Sequence, residues 1–431
     1  MTAHPLCGNI CDKGRTIDME TDITFLKAKS DSWATDVDRV RRLLGSPNNP
    51  YLFPPHYLKA TFPKIGGQIV MFKEERKLIG VGFLFPRAFQ AGTREFTLRF
   101  HRVEQDLEVV QEQLTLKVEQ LLGGNRMVFY DPLVEQRYSK TSQKVEGVNI
   151  GRPDAKEALA IRSLQQQIWG SEKDFLYPAD IHSSDFRAGT SLIARLVGKP
   201  VGFLFGFYKF GGSPIPEAWN QRYRGNFRLE SQLLGVSPEY RQRGIGSILK
   251  KAQAENAQRE GIGIINWTVD LLQYGNAILN FGRLKAVAFD SYPDYYAFRN
   301  VLNQVAASRF GITWLVNTAR VKQALSSISR ATILNLSGNT AIRRVNKGWA
   351  ELNLEEDDQT IAIEVPSGWT ALQRENLQQA LKWREATDKL FQHYLGCREG
   401  KYIVTGVGED SDRKYLIAER VNPALLDRLA K

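Results

Sequence analysis

The chain has 431 residues, 42% hydrophobic and 24% charged, the make-up of a globular protein too long for one ordinary core, so about two or three domains are expected. Three cysteines exclude a disulfide scaffold and fit a reducing cytoplasm, and no uncharged apolar run approaches the ~18 residues that would span a bilayer. A formal charge of +11 invites an anionic partner, yet the basic residues are spread along the chain without a nucleic-acid-binding motif, so nucleic acid is not the expected one.

Residues 1–24 read as a disordered tail. His4, Cys7 and Cys11 lie close together there and either bind a metal or simply belong to that tail; no apolar signal core is present, and Met19 would also serve as a start. No catalytic metal is expected, since five histidines form no His-x-x-x-His and the cysteines no paired Cys-x-x-Cys.

Residues 25–146 carry an apolar strand over 68–72, a second at Val81-Gly82-Phe83-Leu84-Phe85, and a helix over 109–122. Two of their signatures recur about 120 residues on: Tyr51-Leu52-Phe53-Pro54 returns as Phe175-Leu176-Tyr177-Pro178, and Val81 to Phe85 returns as Val201-Gly202-Phe203-Leu204-Phe205. An internal repeat is therefore expected.

Residues 147–300 open with Arg152-Pro153-Asp154, a start signal for a helix over 155–169, followed by a hairpin of strands 190–197 and 200–210 around Gly198-Lys199. The loop 211–224 is long for a hairpin, and its Trp219, Arg222, Tyr223 and Arg224 either clamp a substrate or simply face solvent. The most informative segment follows. An apolar strand ending Leu233-Leu234-Gly235-Val236 enters the turn Ser237-Pro238-Glu239-Tyr240-Arg241-Gln242-Arg243-Gly244-Ile245-Gly246-Ser247, which opens into an amphipathic helix over 247–261 and then a buried strand over 262–270. Glycines at 244 and 246 remove side chains where backbone must approach phosphate oxygens, and first-turn amides point outward at the positive end of the helix dipole. Arg241 and Arg243 add charge-assisted hydrogen bonds. The turn suits a pyrophosphate, but it is not a P-loop, lacking Gly-Lys-Ser/Thr, nor a dinucleotide-binding turn, lacking the third glycine and the strand-end acid.

These residues resemble the GNAT superfamily of coenzyme A-dependent acyltransferases. The resemblance rests on Val236, Pro238-Glu239-Tyr240-Arg241 and Arg-x-x-Gly-x-Gly. More narrowly, Glu230-Ser231-Gln232-Leu233-Leu234-Gly235-Val236, Lys251-Ala252-Gln253, Trp267-Thr268-Val269-Asp270, Asn276-Ala277-Ile278-Leu279-Asn280 and Arg283-Leu284 look like a bacterial branch of GNAT acetyltransferases, over residues 147–320 and faintly to about 420. The resemblance implies an α/β (α+β) fold with a mixed, centrally splayed sheet flanked by helices. It implies acetyl-CoA as co-substrate, held by backbone at Leu234, Gly235 and Val236, by the turn Arg241, Gln242, Arg243, Gly244, Ile245, Gly246 and Ser247, and by Asn276 and Asn280 on one helix face. Helix capping is the alternative for the two asparagines.

An amine must be neutral to attack, so a base is needed, and the departing thiolate needs a proton. Glu230 is the expected base, placed by strand alternation on the face of Val236. Asp270 is second, with capping of the next helix as its alternative. Where the family usually offers a tyrosine as acid this chain has Phe281, so the role passes to Tyr296, among Tyr292 and Tyr295, or to water. Lys285 stands in place of a glycine in the family's Leu-Gly ending.

The resemblance and the repeat together divide the chain into a degenerate GNAT-like half (25–146) without a coenzyme grip, which closes the cleft or mimics a dimer partner, an acyltransferase half (147–300) and a C-terminal α+β extension (301–431). The extension shows strands over 311–317, 331–336 and 360–365, an acidic turn at 355–358, a helix over 371–395 with Leu377, Ala380, Leu381, Arg384 and Leu390 on its buried face, and a closing hairpin at 402–405 and 415–419. The expected protein is a cytoplasmic N-acyltransferase, monomer or homodimer, acting on a small-molecule or peptide amine by direct attack in a ternary complex. The alternative is a non-catalytic scaffold that binds coenzyme A or a protein partner.

Overall fold

The computed structural model describes residues 16–17, 21–28, 30–103, 107–212, 214–220, 222–223, 227–296, 304–305, 307–326 and 330–431. His4, Cys7, Cys11 and Met19, together with Ser213 and Arg224 of the long loop, lie outside them, as does the side chain of Tyr296.

The first unit runs β1 (Asp22–Phe25), α1 (Trp33–Leu43), β2 (Gln68–Glu74), β3 (Lys77–Gln90), β4 (Thr93–Arg102), α2 (Gln111–Leu121) and β5 (Arg126–Tyr130). Its sheet has the order β1-β2-β3-β4-β5, antiparallel except where α2 carries the chain across to pair β5 parallel to β4. A short edge hairpin, β6 (Gln143–Val145) and β7 (Val148–Gly151), leads to the second unit. There the same order recurs: β7, α3 (Ala155–Trp169), β8 (Gly189–Leu196), β9 (Lys199–Phe210), β10 (Phe227–Val236), α5 (Ile245–Arg259) and β11 (Ile264–Val269), with a one-turn α4 (Glu217–Asn220) in the long loop. The expected repeat is thus a repeat of topology.

Each unit lays its repeated aromatics on the other. Phe53 and Tyr177, equivalent in the two signatures, meet edge-on with ring centroids 6.2 Å apart, and Phe85 and Phe205 share the same buried cluster. Within it, buried Arg99 of β4 pairs with Asp180 of the second unit, whose carboxylate also accepts from the Tyr130 hydroxyl at 2.7 Å. A buried ion pair is tolerable only with its hydrogen bonds filled, and here the guanidinium also reaches the Tyr51 carbonyl at 2.7 Å.

Local chemistry sets the ends of α3. Asp154 accepts from the Glu157 amide at 2.8 Å while Glu157 accepts from the Asp154 amide at 3.0 Å, a reciprocal capping box, and Gly170 closes the helix at φ 62°.

Past β11 the chain forms a short α6 (Tyr274–Ala277), which widens into a π-helical segment (Ile278–Arg283), then β12 (Val287–Tyr296), β13 (Ala307–Leu315) and α7 (Ala319–Ser326). The C-terminal part adds β14 (Thr360–Val365), α8 (Trp369–Glu375), α9 (Leu377–Tyr394), β15 (Tyr402–Asp410), β16 (Arg413–Arg420) and α10 (Pro423–Ala430). Three expectations change here. The C-terminal strands continue the sheet of the second unit, β15 pairing with β12 through Ala288 and Val404. The strand over 331–336 shrinks to Leu334–Asn335. The long helix breaks at Asn376, which caps α9 by accepting from the Gln379 amide. Ala380, Trp383, Arg384 and Leu390 are buried, whereas Leu377 and Leu381 are exposed, because the restarted helix turns that flank outward.

Candidate active site

β10 and β11 pair only at Leu229 with Ile265 and Glu230 with Asn266; beyond that β10 stays with β9 and β11 with β13, so the two parallel strands part. In the first unit the equivalent β4 and β5 stay paired over five residues, from Glu95 with Arg126 to Arg99 with Tyr130, and leave no such gap. The expected splay is present in the half expected to carry it.

The splay begins at a bulge. Phe205 faces Leu233 but Gly206 faces Ser231, so Gln232 is an extra residue on β10. Glycine sits opposite because a Cβ at Gly206 would come within 2.7 Å of Gln253 Nε2 and 3.1 Å of the Glu230 carbonyl. The bulge turns Gln232 and Leu233 to the α3 side: Gln232 donates to Tyr177 Oη at 3.0 Å, and Leu233 packs with Phe203 and Phe205. Ser231 and Leu234 face α5. Glu230 and Val236 therefore lie on opposite faces, which corrects the alternation argument, since one inserted residue reverses strand parity.

After Val236 a 3-10 turn at Pro238–Tyr240 leads into two left-handed positions, Gln242 (φ 64°) and Gly244 (φ 76°). Gly244 is the N-cap of α5, and no side chain caps that end. A Cβ at Gly244 or Gly246 would meet nothing within 4 Å, so both glycines border open space rather than a packed neighbour. Buried Ile245 anchors the turn, while Arg241, Gln242 and Arg243 are exposed and Ser247 half-buried. Arg241 Nε donates to the Val236 carbonyl at 3.3 Å, and the Arg243 guanidinium lies 5.4 Å from the Tyr240 ring centre. A helix start with open amides, flanking guanidiniums and no competing cap fits a diphosphate.

Between the parted strands lies a cleft of about 570 Å³. That size suits a small-molecule site. It reaches from Arg241 past Leu234 and Lys250 to Asn276 and Asn280, so both asparagines face it, Asn276 exposed and Asn280 buried. Gly235 and Val236 continue the same strand edge toward the turn. Lys250, within the helix expected over 247–261, is buried. Its Nζ donates to Ser231 Oγ at 2.8 Å and stands 3.6 Å from the Trp267 ring centre. The signal was in its spacing: it shares a stripe with buried Gln253, Ala254 and Ala257.

Glu230 is buried, accepts from Lys209 Nζ at 2.8 Å, and lines a separate small chamber of about 30 Å³. Trp267 and Thr268 wall both cavities, so the chamber adjoins the cleft. Thr61 and Lys64 of the first unit and Tyr292 and Tyr295 of β12 also line the chamber. Burial lowers the Lys64 pKa against the pull of Glu230.

Asp270 is committed to structure. Its carboxylate accepts from the Leu272 amide at 3.0 Å, the Trp369 indole at 3.1 Å and Arg384 at 2.6 Å, tying the end of β11 to α8 and α9. None of these bonds caps α6, whose N-cap is Gln273 without a side-chain bond, so the carboxylate is not the expected helix cap. Phe281 is fully buried in the π-helical segment and touches the core, not the cleft. Tyr296 ends β12, with its side chain outside the described residues. Lys285 takes a left-handed φ of 54°, a conformation that costs a non-glycine residue some strain. Among the described residues the long loop does not line the chamber: Trp219 is buried against Phe289 and donates to the Leu426 carbonyl at 2.9 Å, and Arg222 bonds the Ala430 carbonyl, docking this part of the loop on α10.

Among the described residues no cluster of three or more histidine, cysteine, aspartate or glutamate side chains could hold a metal, and no helix is long and apolar enough to cross a membrane. Solved structures similar to the chain include Ard1 from Thermoplasma volcanium, at 16% identity over 40% of this chain and 99% of that one, with a TM-score of 0.30. The ribosomal-protein-S18-alanine N-acetyltransferase of Escherichia coli matches at 12% identity over 40% and 96%, TM-score 0.30. Naa50 of Arabidopsis thaliana, solved with a bisubstrate analogue, matches at 16% identity over 39% and 97%, TM-score 0.29. No curated protein matches the sequence. The model of the acetyltransferase (GNAT) family matches residues 158–277, from α3 through the splayed strands and the glycine turn to α6.

Proposed function

We propose that the protein is an N-acyltransferase that moves an acetyl or related acyl group from its coenzyme A thioester to a primary amine. The observation that carries this reading is the parting of β10 from β11 directly above an uncapped glycine turn. In this reading the amides of 243–247, with Arg241 and Arg243, hold the diphosphate, and the free edge of Leu234 to Val236 pairs with the pantetheine arm. When bound, the coenzyme supplies an activated acyl group with a thiolate leaving group. The backbone at the Gln232 bulge offers an amide where negative charge grows on the thioester oxygen. Glu230, from the chamber side, takes the proton that the acceptor amine sheds, directly or through water, and Lys209 orients it. Thr61 and Lys64 give the first unit a share in acceptor binding. The competing reading, a non-catalytic coenzyme-binding scaffold, draws on Phe281, which offers no proton at the site.

Calorimetric titration with coenzyme A, followed by a screen of amines against acetyl-, propionyl- and succinyl-coenzyme A read as released thiol, tests both readings. Gly244→Glu places a carboxylate at a left-handed position facing the diphosphate and is expected to abolish the binding heat. Unaltered affinity in that variant rejects the phosphate site, and binding without turnover of any amine leaves the scaffold reading.

A further inference from the structure

In the acyl-transfer reading the thiolate that departs needs a proton, and Tyr296, the donor expected from the sequence, has its side chain outside the described residues. Among the described residues lining the 570 Å³ cleft there is no tyrosine, histidine or cysteine. The guanidiniums of Arg241 and Arg309 do not give up protons in proteins. Asp270 is held by three donors. Ser231 and Thr268 carry hydroxyls far less acidic than a thiol. One titratable donor remains, Lys250, 2% exposed, reaching from the second turn of α5 into the space between the parted strands.

Its surroundings suit the task. Nζ donates to Ser231 Oγ at 2.8 Å and approaches Gln253 Oε1 at 3.4 Å, both neutral, and lies over the Trp267 ring. These contacts orient the ammonium without a contacting carboxylate to retain its proton. Burial drives its pKa well below that of an ordinary lysine, although Glu230 pulls the other way. A buried ammonium is a stronger acid than a solvated one.

Resting on the acyl-transfer reading, we infer that Lys250 protonates the coenzyme sulfur as the acyl group leaves. The acceptor nitrogen forms the C–N bond, the C–S bond breaks with its electron pair going to sulfur, and a proton passes from Nζ to that sulfur. The acceptor nitrogen loses its own proton to Glu230 on the opposite face of β10. That proton returns through water to neutral Lys250, so the net products are the amide and free coenzyme A thiol. Lys250 and Glu230 thus serve the same gap from its two sides.

The test follows the ¹³Cε resonance of Lys250, assigned by its loss in Lys250→Met, as pH is raised on the coenzyme A complex, with calorimetry reporting binding. The Lys250 midpoint is expected to lie at least about one pH unit below that of an ordinary lysine, the acidity that a proton donor to sulfur requires. In Lys250→Met turnover of acetyl-coenzyme A is expected to fall by about 10²- to 10⁴-fold with KM for it changed little. A Lys250 midpoint at the ordinary lysine value in wild type overturns the inference, and so does unchanged turnover in Lys250→Met. Absence of coenzyme A heat from wild type is a different failure, which removes the acyl-transfer reading itself.

Discussion

Glu230 lies on one face of β10, and Lys250 meets the other face at Ser231, the next residue of the strand. Glu230 sits beside Lys209 in a small chamber of about 30 Å³. Glu230→Gln keeps the shape and removes the proton acceptor. Coenzyme A affinity is expected to stay within about twofold while kcat falls by about 10²- to 10⁴-fold at neutral pH, measured by thiol release and calorimetry. Unchanged turnover would clear Glu230 of the base role. Its place in the strand could be read from the sequence, whereas its face could not, because strand alternation has no term for an inserted residue.

At the scale of elements, α3 was legible to the residue. Asp154 and Glu157 form the capping box and Gly170 ends the helix, all within 17 residues of sequence, and local hydrogen bonds decide such ends. Asp154→Ala is expected to cost about 1 kcal/mol, seen as a lowered urea midpoint with unchanged slope. The helix over 371–395 was less legible. Asn376, with Gln379 three residues on, is a local helix-start signal that the apolar periodicity overran; it caps α9, and Arg384 of that helix reaches Asp270. The pairing of β15 with β12 was hidden, since sheet neighbours distant in sequence are chosen by packing.

For the whole molecule, the Asp270 to Arg384 pair holds the C-terminal part to the end of β11, both side chains 4% exposed. Asp270→Ala leaves a buried guanidinium unmatched and is expected to cost about 3–5 kcal/mol in chemical denaturation. The pair is structural if the folded fraction keeps its turnover, whereas loss of turnover at full stability would restore Asp270 as a base. Three histidines set the acid limit of the assembly. Burial, with Arg41 adding to it, pushes His56 down to about 4; burial, with Arg152, pushes His182 down to about 3; burial, with Arg99, holds His101 well below its ordinary value. The folded chain therefore refuses protons that the unfolded chain takes up below pH 6.5. Stability is full above that pH and is expected to fall as pH drops from 6.5 toward 4, by up to about 1.4 kcal/mol per pH unit for each histidine. Denaturation curves at pH 7, 6 and 5 check this, and a flat profile would contradict it.

From its residues alone the chain declared the glycine turn, the helix behind it, the hairpins and the repeated aromatic signatures, because each depends on neighbours a few positions away. The tertiary structure decided which half opens. β4 and β5 stay zipped while β10 and β11 part, and that difference rests on the bulge opposite Gly206 and on β13 drawing β11 away. It also turned Lys250 inward and brought Lys64 from a separate unit to the Glu230 chamber. Contacts between segments more than a hundred residues apart leave no local pattern, since what selects them is the burial of surfaces that exist only once both segments have folded.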